Sequence, residues 1–193
     1  MKSLNERHKR WVKKEGGIEH PTKLETLQQP EQQKRIEWLK KHCYPAVDIL
    51  DLGCNWGYIL NELNGRCGVD INPENIEKAI REFPTRNFLA ADITKHLPFE
   101  NEQYAIVILA DVLEHLNYPQ GVSGAITEAL RIARGKLLVT LPYKLDKKFA
   151  LCFKHSWLLG YESLGYIVNK VLHSARKVTC EMDDTFFYIE ATK

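Results

Sequence analysis

The chain has 193 residues, of which 44% are hydrophobic and 27% are charged, with a formal net charge of +2. This length suits one complete hydrophobic core and excludes a second folded domain of useful size. Five scattered cysteines without a C-x-x-C pair exclude a disulfide framework and a zinc site, and the lack of a membrane-length apolar run or a secretory signal predicts a cytoplasmic protein with no membrane partner.

The charge differs between the N-terminal segment and the rest of the chain. Residues 1–41 carry 11 Lys and Arg against 6 Glu, a net +5, whereas residues 42–193 carry 16 against 19 acids, a net −3. The basic residues surround Trp11 in a helix predicted at 3–15. We interpret them as a solvated helix face rather than as a phosphate-binding arm for nucleic acid. Residues 1–44 are predicted to form an N-terminal helical arm, and residues 45–193 the main domain.

A second helix is predicted from Pro30 to a residue before Pro45. Proline fits the first turn of a helix, and the residue before a proline disfavours the helical conformation. Ile36, Leu39 and Cys43 recur on one face of this segment. We therefore expect an amphipathic helix that packs beside the first strand.

Strands and helices alternate over the remainder of the chain. The predicted strands lie at 46–52, 66–71, 86–91, 103–110 and 136–141, and the predicted helices at 57–63, 74–83 and 120–133. A helix at 161–173 and a hairpin of strands 177–182 and 186–191 follow. This alternation is typical of a parallel sheet with crossover helices and predicts an α/β fold.

The first strand leads into a turn with two glycines, Asp51-x-Gly53-x-Asn55-x-Gly57. A turn between a strand and a helix is expected to direct backbone N–H groups toward a ligand. This one lacks the G-x-G-x-x-G spacing of dinucleotide-binding folds, and the acid ahead of its first glycine would repel an anion. The same acid favours a ligand that carries a positive amino group.

Four successive predicted strands end in an acid, namely Asp51, Asp70, Asp92 and Asp111. The carboxyl ends of parallel strands meet at one edge of the sheet, where ligands bind in α/β folds. Asp70 follows Asp51 by 19 positions, which is where nucleotide-binding folds place the carboxylate that accepts the ribose hydroxyls. Asp70 is therefore the candidate ribose ligand.

Five segments carry a resemblance to a known family: DLGCNWG, GVDINPENIEKA, AADI, LADVLEHL and ALRIARGKLLVTLPY. Over roughly Pro45–Lys193 the chain resembles a class I (Rossmann-like) S-adenosylmethionine (SAM)-dependent methyltransferase. Within that class it resembles the small, single-domain members known as methyltransferase type 11. The resemblance implies a three-layer α/β/α sandwich with a seven-stranded, mainly parallel sheet in the order 3-2-1-4-5-7-6, its last strand antiparallel. It also implies SAM as the cofactor and S-adenosylhomocysteine (SAH) as the product.

The resemblance implies a role for each matching residue. The methionine end of SAM would be bound by Asp51, Gly53, Cys54, Asn55, Gly57 and Ala110; Asp70 would hold the ribose; Ile71, Asp92 and Ile93 would surround the adenine. Asn55 stands where many members have a glycine. Asparagine adopts left-handed conformations more easily than most residues, so the turn tolerates it.

Two histidines are candidates for a general base, because imidazole titrates near neutrality. His115 lies after the fourth strand and is expected near the transferred methyl group. His155 precedes the helix at 161–173. The alternative interpretation gives His115 a structural role and makes His155 an exposed loop residue, and a dedicated base is optional in methyl transfer.

The residues after the fourth strand restrict the acceptor. They include no N-P-P-Y or D-P-P-Y motif for an exocyclic base amine and no cysteine for attack on cytosine. The metal-binding set of small-RNA 2′-O-methyltransferases is only half met by Asp111, Glu114 and His115, so we predict no metal. A small-molecule or sugar-type acceptor is favoured, enclosed by the N-terminal segment and residues 143–161, with Trp11, Tyr143 and Trp157 as candidate contacts.

Two alternatives stay open. The chain could methylate RNA through its basic N-terminal segment, or it could be a catalytically silent SAM- or SAH-binding module that acts through a partner. A nicotinamide-dependent dehydrogenase is a distant alternative, since the turn lacks its glycine spacing. The oligomeric state, monomer or homodimer, and the acceptor atom, whether oxygen, nitrogen or carbon, are left open by the sequence.

Overall fold

The structure is a computed structural model that describes residues 27–45, 48–142 and 161–193. Its helices are α1 (Pro30–Cys43), α2 (Tyr58–Glu62), α3 (Pro73–Glu82), α4 (Gln120–Ile132) and α5 (Tyr161–Leu172), with a 3-10 turn at Leu113–His115. Its strands are β1 (Ile49–Leu52), β2 (Cys67–Asp70), β3 (Asn87–Ala90), β4 (Tyr104–Ala110), β5 (Ala133–Pro142), β6 (Lys177–Met182) and β7 (Phe186–Thr192). The helix predicted at 3–15 lies outside the described residues.

Two prolines begin helices, as predicted. α1 starts at Pro30 and ends at Cys43, before Pro45. α3 starts at Pro73, and the side chain of Asn72 caps it by accepting a hydrogen bond from the amide of Glu74 at 2.9 Å. Such a cap is worth about 1 kcal/mol.

The seven strands form one sheet in the order β3-β2-β1-β4-β5-β7-β6. β1 pairs in parallel with β2 and β4, and β5 continues the parallel set beside β4. β7 is antiparallel to both of its neighbours, β5 and β6. The predicted order, the predominantly parallel pairing and the reversed last strand are confirmed.

Helices cover both faces of the sheet, which gives the predicted three-layer α/β/α sandwich. On one face, Leu39 and Cys43 of α1 pack with Ile49, Ile108 and Leu138 of three strands. On the other face, buried residues of α4 and α5 pack against the alternate strand positions. Because strand side chains alternate between faces, the residues two positions after Ile49 and Leu138 also face α1. Those residues are Asp51 and Thr140.

The start of β5 differs from the prediction by three residues. It begins at Ala133, directly after α4, rather than at 136 as predicted. Ala133 pairs with Tyr104, and an irregularity in the register follows before Ile106. Gly135 interrupts the apolar run of the sequence, so the sequence pattern does not predict that the strand begins before it.

α1 packs directly against the sheet of the main domain, through Leu39 and Cys43. The division into an arm of residues 1–44 and a domain of residues 45–193 stays a prediction. Within the described ranges, no helix is both long and apolar enough to cross a membrane.

Candidate functional site

The turn after β1 has an unusual backbone at three positions. Gly53, Asn55 and Gly57 all have positive φ, at 89°, 50° and 80°. A Cβ on Gly53 would lie 2.4 Å from Cγ2 of Val112, and a Cβ on Gly57 would lie 2.8 Å from the ring of Phe88. Both glycines are therefore required by backbone conformation and by close packing. Asn55, at a position where the sequence pattern often has a glycine, adopts the left-handed conformation that a glycine there would allow.

Four amides of this turn, contrary to the expectation that they face a ligand, donate hydrogen bonds within the protein. The N–H groups of Gly53 and Cys54 both donate to the carbonyl of Val69, at 2.7 and 2.9 Å. The N–H of Gly57 donates to the carbonyl of Cys54 at 2.8 Å. The N–H of Asn55 donates to Oδ2 of Asp70 at 2.9 Å. A turn whose amides are used in this way is not an anion cradle.

Asp70 is held at the end of β2 by groups from two segments. Its Oδ2 accepts the amide of Asn55, and its Oδ1 accepts the amide of Asn72 at 2.9 Å and Nδ2 of Asn75 at 3.3 Å. Asn75 in turn accepts a hydrogen bond from Nε1 of Trp56 at 3.0 Å. The carboxylate is thereby fixed in one orientation between the first turn and the start of α3.

Asp51 is a buried acid whose Oδ1 has no hydrogen-bond partner within the part of the chain that the structure describes. It is 2% exposed. Burial, and secondly the negative charge of Asp70, raise its pKa from 3.8 to about 7, while Arg35 acts in the opposite direction. An orphaned carboxyl oxygen in the interior is costly, so it indicates a site for a hydrogen-bond donor or a cation.

The residues predicted to surround the adenine, Ile71, Asp92 and Ile93, lie after the ends of β2 and β3. Oδ1 of Asp92 accepts hydrogen bonds from the amide and the hydroxyl of Thr94, at 2.9 and 2.7 Å. Ile71 is half-buried directly after β2, whereas Ile93 is a core residue. Asp92 and Ile71 thus lie at the same sheet edge as Asp70, and Ile93 anchors their segment to the core.

Cys54 and Ala110, two of the predicted contacts with the methionine end of SAM, are buried within the protein. The thiol of Cys54 lies against Gly68, where a Cβ would be 2.7 Å from Sγ, and burial raises the pKa of this thiol well above its ordinary value. The amide of Cys54 donates to the carbonyl of Val69, and its carbonyl accepts a hydrogen bond from the amide of Gly57. Ala110 is the buried last residue of β4.

Sequence reasoning missed a buried ion pair beside the site. Arg35 of α1 is 3% exposed and bonds through Nη1 to Oδ2 of Asp111. Oδ1 of Asp111 accepts the hydroxyl of Thr140 at 2.7 Å. Helical spacing could have indicated that Arg35 is buried. Arg35 precedes the buried Leu39 by four positions and so lies on the apolar face of α1.

Glu114 and His115 lie in the 3-10 turn that follows Asp111. Glu114 is 1% exposed, and burial, and secondly the charge of Asp111, raise its pKa well above the ordinary value. The side chain of His115 is 24% exposed, with Nε2 4.0 Å from Oε1 of Glu114. Among the described side chains, no group of three His, Cys, Asp or Glu could hold a metal ion.

Several predicted residues fall outside the described ranges. These are His155 and the proposed acceptor contacts Trp11, Tyr143 and Trp157. Their roles stay predictions.

A sequence model for a family described as a methyltransferase domain matches residues 50–139. Among curated proteins, the tRNA U34 carboxymethyltransferase of Nautilia profundicola is 28% identical over an alignment of 129 residues, and the alignment covers 61% of this chain and 43% of that protein. The chain therefore spans less than half the length of this curated relative.

Two solved structures have the same fold along most of their length. Magnesium protoporphyrin IX methyltransferase from Synechocystis, with bound SAM, has a TM-score of 0.65 at 16% identity, covering 98% of this chain and 93% of that one. N-methyltransferase NodS from Bradyrhizobium japonicum has a TM-score of 0.64 at 14% identity, covering 86% and 98%. At these identities the similarity is one of fold.

Proposed function

We propose that the chain is a class I, Rossmann-like SAM-dependent methyltransferase that methylates a small-molecule or sugar-type acceptor. The methyltransferase-domain match over residues 50–139 and the shared fold of a SAM-bound methyltransferase structure support this proposal. The cofactor of this family is SAM, which supplies a methyl group on a sulfonium that leaves as the neutral thioether of SAH. The protein's part in such an in-line displacement is to hold the reactants about 3–3.5 Å apart and aligned. A positioned base is needed only where the acceptor must lose a proton.

The observation that carries this proposal is the orphaned Oδ1 of Asp51, at the carboxyl edge of the sheet. A ligand ammonium would satisfy that buried oxygen and would favour the ionised carboxylate. A pyrophosphate would find two acids, Asp51 and Asp70, and no inward-pointing amides at Gly53, Cys54, Asn55 or Gly57. The residues present therefore fit the amino group of a methionine moiety better than a dinucleotide.

The surroundings of Asp70 support its proposed ribose contact. Three donors, from Asn55, Asn72 and Asn75, fix the orientation of the carboxylate at the end of β2. A carboxylate oriented in this way is suited to accept hydroxyl donors from a vicinal diol. Ile71, half-buried beside it, would offer an apolar surface for a base.

We propose His115 as the group that accepts a proton when the acceptor must lose one. It follows β4, whose end Ala110 lies on the same sheet edge as Asp51. Its side chain is partly exposed, whereas Glu114 beside it is buried, and burial raises the pKa of Glu114 well above its ordinary value. His115 is thus the more accessible of the two titratable groups in this turn. No metal has a role in the proposal.

RNA is the second candidate acceptor, because the curated relative is a tRNA-modifying enzyme. The net charge of +5 over residues 1–41 is compatible with phosphate binding. The negative charge of residues 42–193 and the limited identity of that relative place it second.

The test is methyl transfer from SAM labelled in the methyl group to a cell extract, separated afterwards into small molecules and nucleic acids. We expect label in the small-molecule fraction with the wild-type protein and not with Asp70→Ala, the matched control for cofactor dependence. Label that is sensitive to ribonuclease, with binding that weakens steeply as salt rises, would establish the RNA alternative instead. SAM binding without label in either fraction would favour the silent module.

A further inference from the structure

Arg35 is a buried cation that lies outside the segment matched by the methyltransferase-domain model. Its guanidinium bonds to Asp111 and stands over the ring of Phe186, with Cζ 5.3 Å from the ring centroid. Its Nε has no hydrogen-bond partner within the described residues. A buried charge that is only partly satisfied is costly to keep and calls for a functional explanation.

The first consequence of Arg35 is geometric. Asp111 has a left-handed backbone, with φ 52°, which is uncommon for a residue other than glycine. It is held there by Arg35, by the hydroxyl of Thr140 at 2.7 Å, and by its own amide, which donates to the carbonyl of Thr140 at 3.1 Å. The next residue, Val112, fills the space beside Gly53 in the cofactor turn. Arg35 therefore supports the turn after β1 through Asp111 and Val112.

The second consequence is electrostatic. Asp51 is two positions after Ile49, which packs on α1, so its side chain is on the α1 face of the sheet, as Arg35 is. The positive charge of Arg35 lowers the pKa of Asp51 and of Glu114, against the larger effect of burial.

We propose that Arg35 is a positioning residue of the cofactor site, which holds Asp111 in its left-handed turn and favours the ionised form of the Asp51 carboxylate for the amino group of the cofactor. This inference rests on the proposed function, through the role given to Asp51. It extends the site to α1, a helix that the matched segment does not include.

The groups that face Asp51 limit what can titrate there. They are Arg35 and Cys43 of α1, Asp70 of β2 and Cys54 of the turn, while Cys67 of β2 lies on the opposite face of the sheet. Burial raises the pKa of all three thiols, so they stay neutral near pH 7. Asp111, after β4, is paired with Arg35. Glu114 is a second buried acid whose pKa responds to Arg35. A pH dependence that responds to Arg35 therefore reports on Asp51 where Asp51→Asn abolishes it and Glu114→Gln leaves it in place.

The experiment is calorimetric titration with SAH between pH 5.5 and 7.5, because SAH carries the same amino group without the reactive sulfonium. This range lies below the pKa of about 8 at which an α-amino group loses its proton. Wild-type affinity should rise about tenfold per pH unit until Asp51 is ionised near pH 7, since one proton is released on binding. In Arg35→Met the rise should continue to higher pH. A rise of about one in the pKa of Asp51 gives about a tenfold loss of affinity at pH 5.5 that shrinks to about threefold at pH 7.5.

Three further variants separate charge from structure. Arg35→Lys should keep the wild-type midpoint, and Lys34→Met, which removes an exposed cation of the same helix, should leave the profile unchanged. Asp111→Asn removes the acid that neutralises Arg35 and should shift the midpoint to lower pH, a direction that loss of structure does not produce. This variant also serves if Arg35→Met does not fold.

An equal loss of affinity at every pH in Arg35→Met, or the same shift in Arg35→Lys, would overturn the electrostatic role. An unchanged midpoint in Asp111→Asn would also overturn it. Failure of the wild-type protein to bind SAH or SAM at any pH would instead refute the proposed function, so the two failures are distinguishable.

Discussion

Asp51→Asn should remove a large pH dependence from the stability of the ligand-free protein. The pKa of Asp51 is raised from 3.8 to about 7 by burial, so the folded protein holds a proton that the unfolded chain has released between these values. The stabilisation from this group is fully present below pH 3.8 and is lost as the pH rises through about 7. At about 1.4 kcal/mol per pH unit, Asp51 destabilises the fold by about 3 kcal/mol between pH 5 and pH 8.

The assay is urea unfolding at pH 5 and pH 8, followed by far-UV circular dichroism. Relative to the wild type, Asp51→Asn should gain about 3 kcal/mol more unfolding free energy at pH 8 than at pH 5. The intrinsic cost of a buried amide is the same at both pH values and cancels. Asp184→Asn, which changes an exposed acid, is the matched control and should show little difference. Equal effects of Asp51→Asn at the two pH values would refute the reasoning.

The other predictions concern the cofactor edge of the sheet. Asp70→Ala should weaken SAM binding by one to two orders of magnitude in calorimetry, because a charge-assisted hydrogen bond is worth roughly 1.5–3 kcal/mol; unchanged affinity would remove Asp70 from the site. Gly53→Ala should lower the stability by roughly 1–3 kcal/mol in thermal unfolding, given its φ of 89° and the 2.4 Å approach to Val112. Adding Val112→Ala should recover part of that loss, and no recovery would argue against the steric cause. Thr140→Val should cost roughly 1–2 kcal/mol, since it removes the 2.7 Å hydrogen bond to Asp111; an unaltered urea midpoint would contradict this.

The fold could be predicted from the sequence because its signals are local. Pro30 and Pro73 mark helix starts, and the acids at the strand ends mark one edge of a parallel sheet. Asn55 could be assigned a left-handed conformation because few other residues tolerate it. Each of these inferences needs only a residue and its neighbours in the chain.

The features that were missed depend on contacts between distant segments. Arg35 and Asp111 are 76 positions apart, and nothing near either residue predicts their pairing. The direction of the turn amides depends on the carbonyl of Val69, a residue of the next strand. The sequence pattern predicts that a turn with positive φ is present, but which way its N–H groups point is decided by the segments that pack beside it.

The central claim, that this edge of the sheet binds SAM, is tested most directly by calorimetric titration of the wild-type protein with SAM and, separately, with NAD. We predict a saturable SAM isotherm and much weaker binding of NAD, because the four engaged amides and the two acids Asp51 and Asp70 disfavour a pyrophosphate. NAD binding tighter than SAM binding would contradict the account.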